Sequence, residues 1–116
     1  MSDIFNFSLE EQDFIPEQFE KDEAPATFVL KPLSGRDALR IKSGYKFSDD
    51  GMMSISSSVL EHAIQKGLVD WKNVCNDGRE IPFKKNKVFE LPGSLLQQIA
   101  MKIIEISDIQ EEEEKN

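Results

Sequence analysis

The residues of this 116-residue chain that could do chemistry are few, and the two most reactive types occur once each. His62 is the single histidine and Cys75 the single cysteine. A catalytic triad needs a histidine beside a Ser or Cys nucleophile and an acid, and the sequence around His62 shows no such arrangement. Cys75 precedes Asn76 at a predicted turn, without the cationic neighbour that favours a thiolate. Because a Walker A motif, a GxGxxG pattern and a zinc-ligand set are also missing, we expect no enzyme and no cofactor.

Two charged clusters are candidates for ion binding. Asp49-Asp50-Gly51 resembles the start of a calcium loop, but the acidic ladder and closing glutamate of an EF-hand do not follow it. We therefore interpret the aspartates as a helix N-cap and expect no metal site. The second cluster is basic and consists of Lys84, Lys85 and Lys87. Its simplest interpretation is a set of exposed side chains on a connecting loop.

The net charge of -8 is concentrated at the two ends of the chain. Residues 1–25 carry eight acidic residues and one lysine, and residues 108–116 carry five acidic residues and one lysine. Residues 26–107 are mildly basic, with twelve Lys and Arg against nine Asp and Glu. Acidic ends repel nucleic acid and anionic membranes, because phosphate groups are bound by clustered cations. We expect neither as a partner.

The sequence shows no segment that would direct the chain into or across a membrane. No apolar run approaches the ~20 residues of a transmembrane helix, and no basic stretch leads into an apolar core as in a secretory signal. One cysteine cannot form an internal disulfide. These features predict a soluble cytosolic protein.

Capping and β-propensity place the first elements. Residues 26–31 are rich in strand formers and end at Pro32, which predicts one short strand. Ser34 and Asp37 are spaced as in a capping box, which predicts a short helix to about Ser43.

Helical periodicity predicts two further helices. The second helix follows residues 49–51 and ends at Gly67. Its apolar face consists of Met52, Ile55, Val59, Ala63 and Ile64. The third helix opens at residues 92–94, and its apolar positions cover roughly half of the helix circumference. Such a wide face predicts that this helix is the core of the domain or that it also faces a partner. The residues predicted to bind a partner are Leu95, Leu96, Ile99, Ile103 and Ile106.

The stretch from Gly67 to Phe83 holds the single tryptophan and the clearest turn. Asn76-Asp77-Gly78 permits positive φ, so the chain is expected to double back there as a small hairpin or compact loop. Pro82 limits its pairing to an edge. The residues assigned to this turn and its core are Trp71, Asp77, Gly78, Ile81 and Phe83.

Together these elements predict a mainly α fold with a minor α+β component. We expect a three-helix domain at residues 26–107, with a short N-terminal strand and a small hairpin between the second and third helices. An acidic arm at 1–25, with strand-like alternation at 4–9, and an acidic tail at 108–116 would flank it. The arm is either disordered, or it adds a strand or apolar anchors to another subunit.

Three segments together resemble the tail assembly chaperones of long-tailed bacteriophages and prophages. They are FVLKPLSGR at 28–36, GLVDWKN at 67–73 with its Asp77-Gly78 turn and Ile81-Pro82-Phe83, and the late helix after Leu91-Pro92. The resemblance implies a small, mostly helical, non-enzymatic and self-associating protein. It also implies a role in coating the tape measure protein before tail tube subunits polymerise around it, which makes the tail tube protein a second candidate partner. Such a protein works in the host bacterial cytoplasm and is absent from the mature virion.

The same resemblance raises a hypothesis about the gene. Members of this group are often made in two lengths by a ribosomal frameshift. Glu114-Lys115-Asn116 is compatible with the slippery codons GAA AAA AAC.

Two other functions stay open at this point. One is a structural virion protein of the tail or of the head-tail joint. The other is an acidic host-directed interaction protein such as a DNA mimic, although a mimic needs a continuous acidic face and the acids here lie at the ends.

Overall fold

The computed structural model describes residues 10–115, without the side chains of Phe47, Met53 and residues 108–115. The predicted alternation at residues 4–9 lies outside this part. The described strands are β1 (Gln12–Phe14), β2 (Thr27–Leu30), β3 (Tyr45–Phe47), β4 (Met53–Ile55), β5 (Leu68–Lys72), β6 (Cys75–Asn76) and β7 (Arg79–Glu80). The described helices are α1 (Gly35–Ser43), α2 (Ser57–Gly67) and α3 (Gly93–Lys115), with 3₁₀ helices at Glu17–Phe19 and Lys85–Glu90.

The fold is a mixed α+β arrangement, so the expected mainly α three-helix domain is wrong. The chain is 46% helical and 21% strand, and its seven described strands form three antiparallel sheets. The three expected helices are present, but they pack with a sheet that was not expected. Two of the missed strands, β1 and β5, pair with the distant β2, and periodicity within a short window cannot report such pairings.

The central sheet has the order β1-β2-β5. All four residues of its middle strand, β2, are buried. β1 pairs on one side with Asp13 opposite Val29, and β5 pairs on the other side with Trp71 opposite Phe28. A bulge interrupts the second pairing between Val29 and Leu30. Burial on both faces explains why Phe28, Val29 and Leu30 form a continuous apolar run instead of an alternating one.

The tripeptide predicted to cap the second helix lies instead in the turn of the β3–β4 hairpin. Gly51 has a φ of 84°, which the turn requires and which glycine adopts without strain. The Asp50 carboxylate accepts a hydrogen bond from the Met52 N–H at 3.2 Å and another from the Ser48 hydroxyl. The aspartate therefore stabilises a turn, and the residues after it form strand β4 before α2 begins.

Serine side chains cap the first two helices. Ser34 accepts a hydrogen bond from the Asp37 N–H at 3.3 Å, so α1 begins where the capping box predicts. Ser56 accepts from the Val59 N–H at 3.4 Å, which places the start of α2 five residues later than Met52, its first predicted apolar position.

Helix α3 forms the centre of the core. Its fully buried residues are Ile99, Ala100 and Ile103. Gly67, at the end of α2, lies so close to α3 that a Cβ there would be 2.5 Å from Cγ2 of Ile103. Further along α3, the buried Ser107 hydroxyl accepts a hydrogen bond from the Leu33 N–H at 2.9 Å and donates one to the Ile103 carbonyl at 2.7 Å. These contacts fix α3 against both α2 and the chain segment that leads into α1.

The described part of the predicted N-terminal arm belongs to the folded domain. β1 adds a strand to the sheet of its own chain, and Pro16 behind it is fully buried. Phe14 and Phe19 pack against the core, and Gln18 donates to the Gln98 side chain at 2.9 Å. Phe14 and Phe19 are therefore anchors within the chain.

The C-terminal end of the described chain continues the last helix. α3 extends to Lys115, so residues 108–115, expected as a tail, are helical. Within the described residues, no helix combines the length and the apolar composition that crossing a membrane requires.

Candidate protein-binding groove

His62 forms a half-buried contact that links α2 to α1. Its Nε2 lies 2.9 Å from Oδ1 of Asp37, and the Ser34 hydroxyl donates to Oδ2 of the same carboxylate at 3.1 Å. Burial raises the pKa of Asp37, but the hydrogen bonds from His62 and Ser34 outweigh it and hold the pKa below its ordinary value of 3.8. A triad places the histidine between the acid and the nucleophile, whereas here the acid is the middle group. The arrangement joins two helices and does not activate Ser34.

Cys75 and the acidic residues form no recognisable reactive centre in the described part of the chain. Cys75 lies exposed on β6, and its sulfur is 3.9 Å from the Asn73 carbonyl. Among the described residues, no group of three or more His, Cys, Asp or Glu side chains converges as a metal site would need.

One of the three clustered lysines has a structural task. Lys85 Nζ donates to the carbonyl of Gln65 at 2.8 Å and to that of Leu68 at 3.1 Å. A cation there binds the Gln65 carbonyl, which the last turn of α2 leaves without an intrahelical partner, and the carbonyl of Leu68, the first residue of β5. Lys87 pairs with Glu90 at 3.4 Å on the surface. All three lysines are exposed, as the sequence predicts, but Lys85 and Lys87 lie on a 3₁₀ helix and Lys85 also binds these two carbonyls.

The turn and core residues assigned from sequence lie together. Asp77 and Gly78 have φ angles of 52° and 76° and form the two-residue turn between β6 and β7. The Trp71 ring is buried between Phe28 and Phe83 in edge-to-face contacts, with centroid distances of 6.3 and 5.1 Å. Its Nε1 donates to the Ile81 carbonyl at 2.7 Å. This cluster attaches the hairpin to the sheet.

The residues predicted to bind a partner through α3 do not form an exposed face. The exposed fractions are 7% for Leu95, 0% for Ile99 and Ile103, and 5% for Ile106. These side chains share one core with the sheet, α1 and α2. Leu96 alone is half-buried and reaches a surface groove. Of the two alternatives for the wide apolar face of α3, burial of these four side chains agrees with the first, in which the helix is the core of the domain.

The groove that contains Leu96 lies between α2, the second 3₁₀ helix and the start of α3; we call it the Phe89 groove. It consists of two hollows of about 280 and 460 Å³ that share Ile64 in the floor and Phe89 as a ridge. Phe89 is 40% exposed, which is high for so large an apolar ring. The lining side chains are Ser57, Leu60, Glu61, Ile64, Gln65, Lys85, Asn86, Val88, Phe89, Leu96 and Gln97, with Gly93 at the helix start.

Two charged residues line the groove, and neither forms an ion pair among the described residues. Lys85 keeps its positive charge and donates to the carbonyls of Gln65 and Leu68, whereas Glu61 is exposed and has no hydrogen-bond partner in the described part of the chain. The other polar groups of the lining are amides and hydroxyls. The groove is therefore apolar in the floor and weakly negative on the α2 side.

Comparison with protein-family models, with curated proteins and with solved structures gives no match to this chain.

A cavity of about 560 Å³, larger than either hollow of the Phe89 groove alone, lies beside the small hairpin. Its charged rim residues, Lys87 and Glu90, pair with each other. Its large apolar side chains are all buried or half-buried, namely Trp71, Val74, Ile81 and Leu91. The Phe89 groove differs from it in having a large apolar side chain, Phe89, that is exposed.

Sequence reasoning missed this groove because three separate segments form it. Ile64 and Leu96 were placed on the apolar faces of their helices, but Leu60 and Phe89 were not recognised as surface residues of one site. The available signal is the i, i+4 pair of Leu60 and Ile64, which widens the apolar face of α2 beyond what one neighbouring helix needs.

Proposed function

We propose that this chain is a tail assembly chaperone of a long-tailed bacteriophage or prophage that binds and solubilises the tape measure protein. The observation that carries the proposal is the Phe89 groove, an apolar hollow with a half-exposed aromatic ridge. A contiguous exposed apolar surface is a common mark of a protein-binding site. The sequence resemblance at residues 28–36 and 67–83 supplies the kind of partner.

The dimensions of the groove bear on how such a chaperone would work. From Ser57 to Gln65 the groove follows α2 over about 12 Å, at 1.5 Å per residue, and so covers about two turns of a bound helix. A long helical protein with apolar stripes aggregates unless those stripes are covered. Many copies are then needed for one tape measure protein, and the net charge of -8 per copy favours solubility of the coated complex.

In this role the chain works in the host bacterial cytoplasm. It assembles with further copies along the tape measure protein and helps to recruit tail tube subunits. It leaves before the virion is complete.

Co-expression with the tape measure protein of the same phage genome tests the proposal. We expect the tape measure protein to be soluble only when this chain is present, in a complex with several copies of the chain. Mass spectrometry of purified virions should find the tape measure protein and not this chain. Insoluble tape measure protein despite co-expression contradicts the proposal, and stoichiometric presence of the chain in virions favours a structural tail or head-tail protein.

A further inference from the structure

We propose that the Phe89 groove binds an amphipathic helix that has two aliphatic residues one turn apart and a lysine or arginine beside them. The inference rests on the proposed function, because it takes the occupant from the tape measure protein. It adds which surface binds, how the side chains of the bound helix are spaced, and which charge that helix carries.

The groove has the shape that a helix needs. Its α2 wall is formed by positions 57, 60, 61 and 64, which lie on one side of that helix at i, i+3, i+4 and i+7. Positions 93, 96 and 97 of α3 form the opposite wall. Two helices with an apolar floor between them receive a third helix through its apolar stripe, as in helix-in-groove recognition.

The two hollows set the spacing of the anchors. Phe89 separates a hollow beside Leu60 and Leu96 from a hollow above Val88 and beside Gln65. Along α2 the step from Glu61 to Gln65 is about 6 Å, close to one helical turn. Aliphatic side chains at i and i+4 of the bound helix therefore enter the two hollows on either side of the Phe89 ring.

Glu61 sets the charge of the occupant. Its carboxylate lies in the α2 wall of the first hollow and has no hydrogen-bond or ion-pair partner among the residues that the structure describes. A bound helix removes water from this wall, and a carboxylate that loses water without gaining a cation or a donor is costly. A lysine or arginine next to the first anchor supplies the missing partner, so charge complementarity selects a cation at the end of the bound helix that lies beside Glu61.

A second copy of the chain does not offer this combination among its described side chains. Each described helix exposes at most one large apolar side chain, namely Leu39 on α1 and Met101 on α3. Neither helix presents an exposed aliphatic pair at i and i+4. The occupant is therefore assigned to the partner protein.

Overlapping peptides of the tape measure protein, about 25 residues long and fluorescently labelled, provide the probe, since this length allows several helical turns. Binding to the full chain is measured by fluorescence anisotropy. We expect binding by those peptides that carry an aliphatic i, i+4 pair flanked by Lys or Arg. Phe89→Ala and Leu96→Asp should each weaken their binding by about tenfold or more. Leu39→Asp alters an aliphatic side chain that is 65% exposed outside the groove, and should leave affinity unchanged.

A charge exchange tests the role of Glu61. Glu61→Lys should weaken the best peptide by several-fold, and changing the flanking Lys or Arg of that peptide to Glu should restore affinity to the variant. Glu61→Gln separates loss of charge from reversal. Far-ultraviolet circular dichroism and the fluorescence of Trp71 establish that each variant is folded.

The outcomes separate the two proposals. If peptides bind but the Phe89 and Leu96 variants bind equally well, the groove is the wrong surface while the chaperone proposal stands. If Glu61→Lys changes nothing, the charge rule is overturned. If the groove variants only dissociate oligomers of the chain in sedimentation, the occupant is a second copy. If neither peptides nor the intact tape measure protein bind, the proposed function itself fails.

Discussion

Adding one methyl group at Gly67 should loosen the contact between α2 and α3. The φ of Gly67 is not in the left-handed region, so alanine fits the backbone and the difficulty is space alone. Its Cβ would lie 2.5 Å from Cγ2, 2.8 Å from Cδ1 and 2.9 Å from Cγ1 of Ile103. Ile103 is fully buried and branched at Cβ, so it cannot rotate away freely.

The expected change in the free energy of unfolding is the difference between a cost of overpacking and a gain from replacing glycine. Overpacking a filled core costs about 1–3 kcal/mol. Replacing glycine by alanine in a helix returns about 0.5–1 kcal/mol, because glycine loses more backbone freedom on folding. We expect Gly67→Ala to lower the free energy of unfolding by about 1–2 kcal/mol, with a fall in Tm of several degrees for a domain of this size.

Urea unfolding followed by Trp71 fluorescence measures this change, because the single tryptophan is buried in the core. Gly93→Ala is the matched control. It adds the same methyl group at the first residue of α3, where no other atom lies within 4 Å, and should be neutral or stabilising.

A double-mutant cycle shows whether Ile103 is the cause. Ile103→Ala removes all three crowding atoms and costs about 2–5 kcal/mol on its own. With Gly67→Ala added, the new methyl group lies in the space that was vacated, so the pair should be less destabilised than the sum by at least about 1 kcal/mol. Additive effects, or a Gly67→Ala protein as stable as Gly93→Ala, would show that α2 and α3 are not packed as described.

Two buried or half-buried polar contacts give further expectations. Ser107→Ala leaves the Leu33 N–H without its acceptor and should lower the free energy of unfolding in urea by about 1–3 kcal/mol. Ser43→Ala, the control, loses an exposed hydrogen bond within α1 and should lower it by less than about 0.5 kcal/mol. Equal losses in the two variants would contradict this expectation. Because the pKa of Asp37 is lowered in the folded state, its contacts stabilise the fold above pH 3.8, and this stabilisation is lost as the pH falls through the folded-state pKa. His62→Ala removes one of these contacts and should make the free energy of unfolding depend less on pH in this acidic range. An unchanged pH profile would refute the link between the His62 contact and the lowered pKa.

Local signals in the sequence predict local structure well in this chain. The capping box at Ser34 predicts the start of α1, and Asp77-Gly78 predicts the tight turn between β6 and β7. In both cases the residues that carry the signal also make the contact, within a span of four residues. Nothing beyond the segment is needed to interpret it.

Signals that depend on distant partners fail. The Asp49-Asp50-Gly51 motif is compatible with both a helix cap and a hairpin turn. It forms the hairpin turn because the flanking segments pair as β3 and β4. Asp13 lies in an acidic stretch that composition describes as an arm, yet the strand around it pairs with β2. Neither partner can be identified from the segment itself, so the strand content was underestimated.

The wide apolar arc of α3 predicts either that this helix is the core of the domain or that it also faces a partner, and Ile99 and Ile103 lie in the core. A helix that contacts one neighbour needs a narrow apolar stripe, but a helix that packs against two helices and a sheet needs a wider apolar arc. Ile99 and Ile103 are therefore explained without a partner, since the missed sheet contributes Phe28, Leu30 and Leu68 to the same core. An apolar side chain indicates a binding surface only after every internal neighbour has been counted. By that criterion Ile103, which is fully buried, indicates no binding surface, whereas Phe89 is 40% exposed at the groove beside the start of α3 and does indicate one.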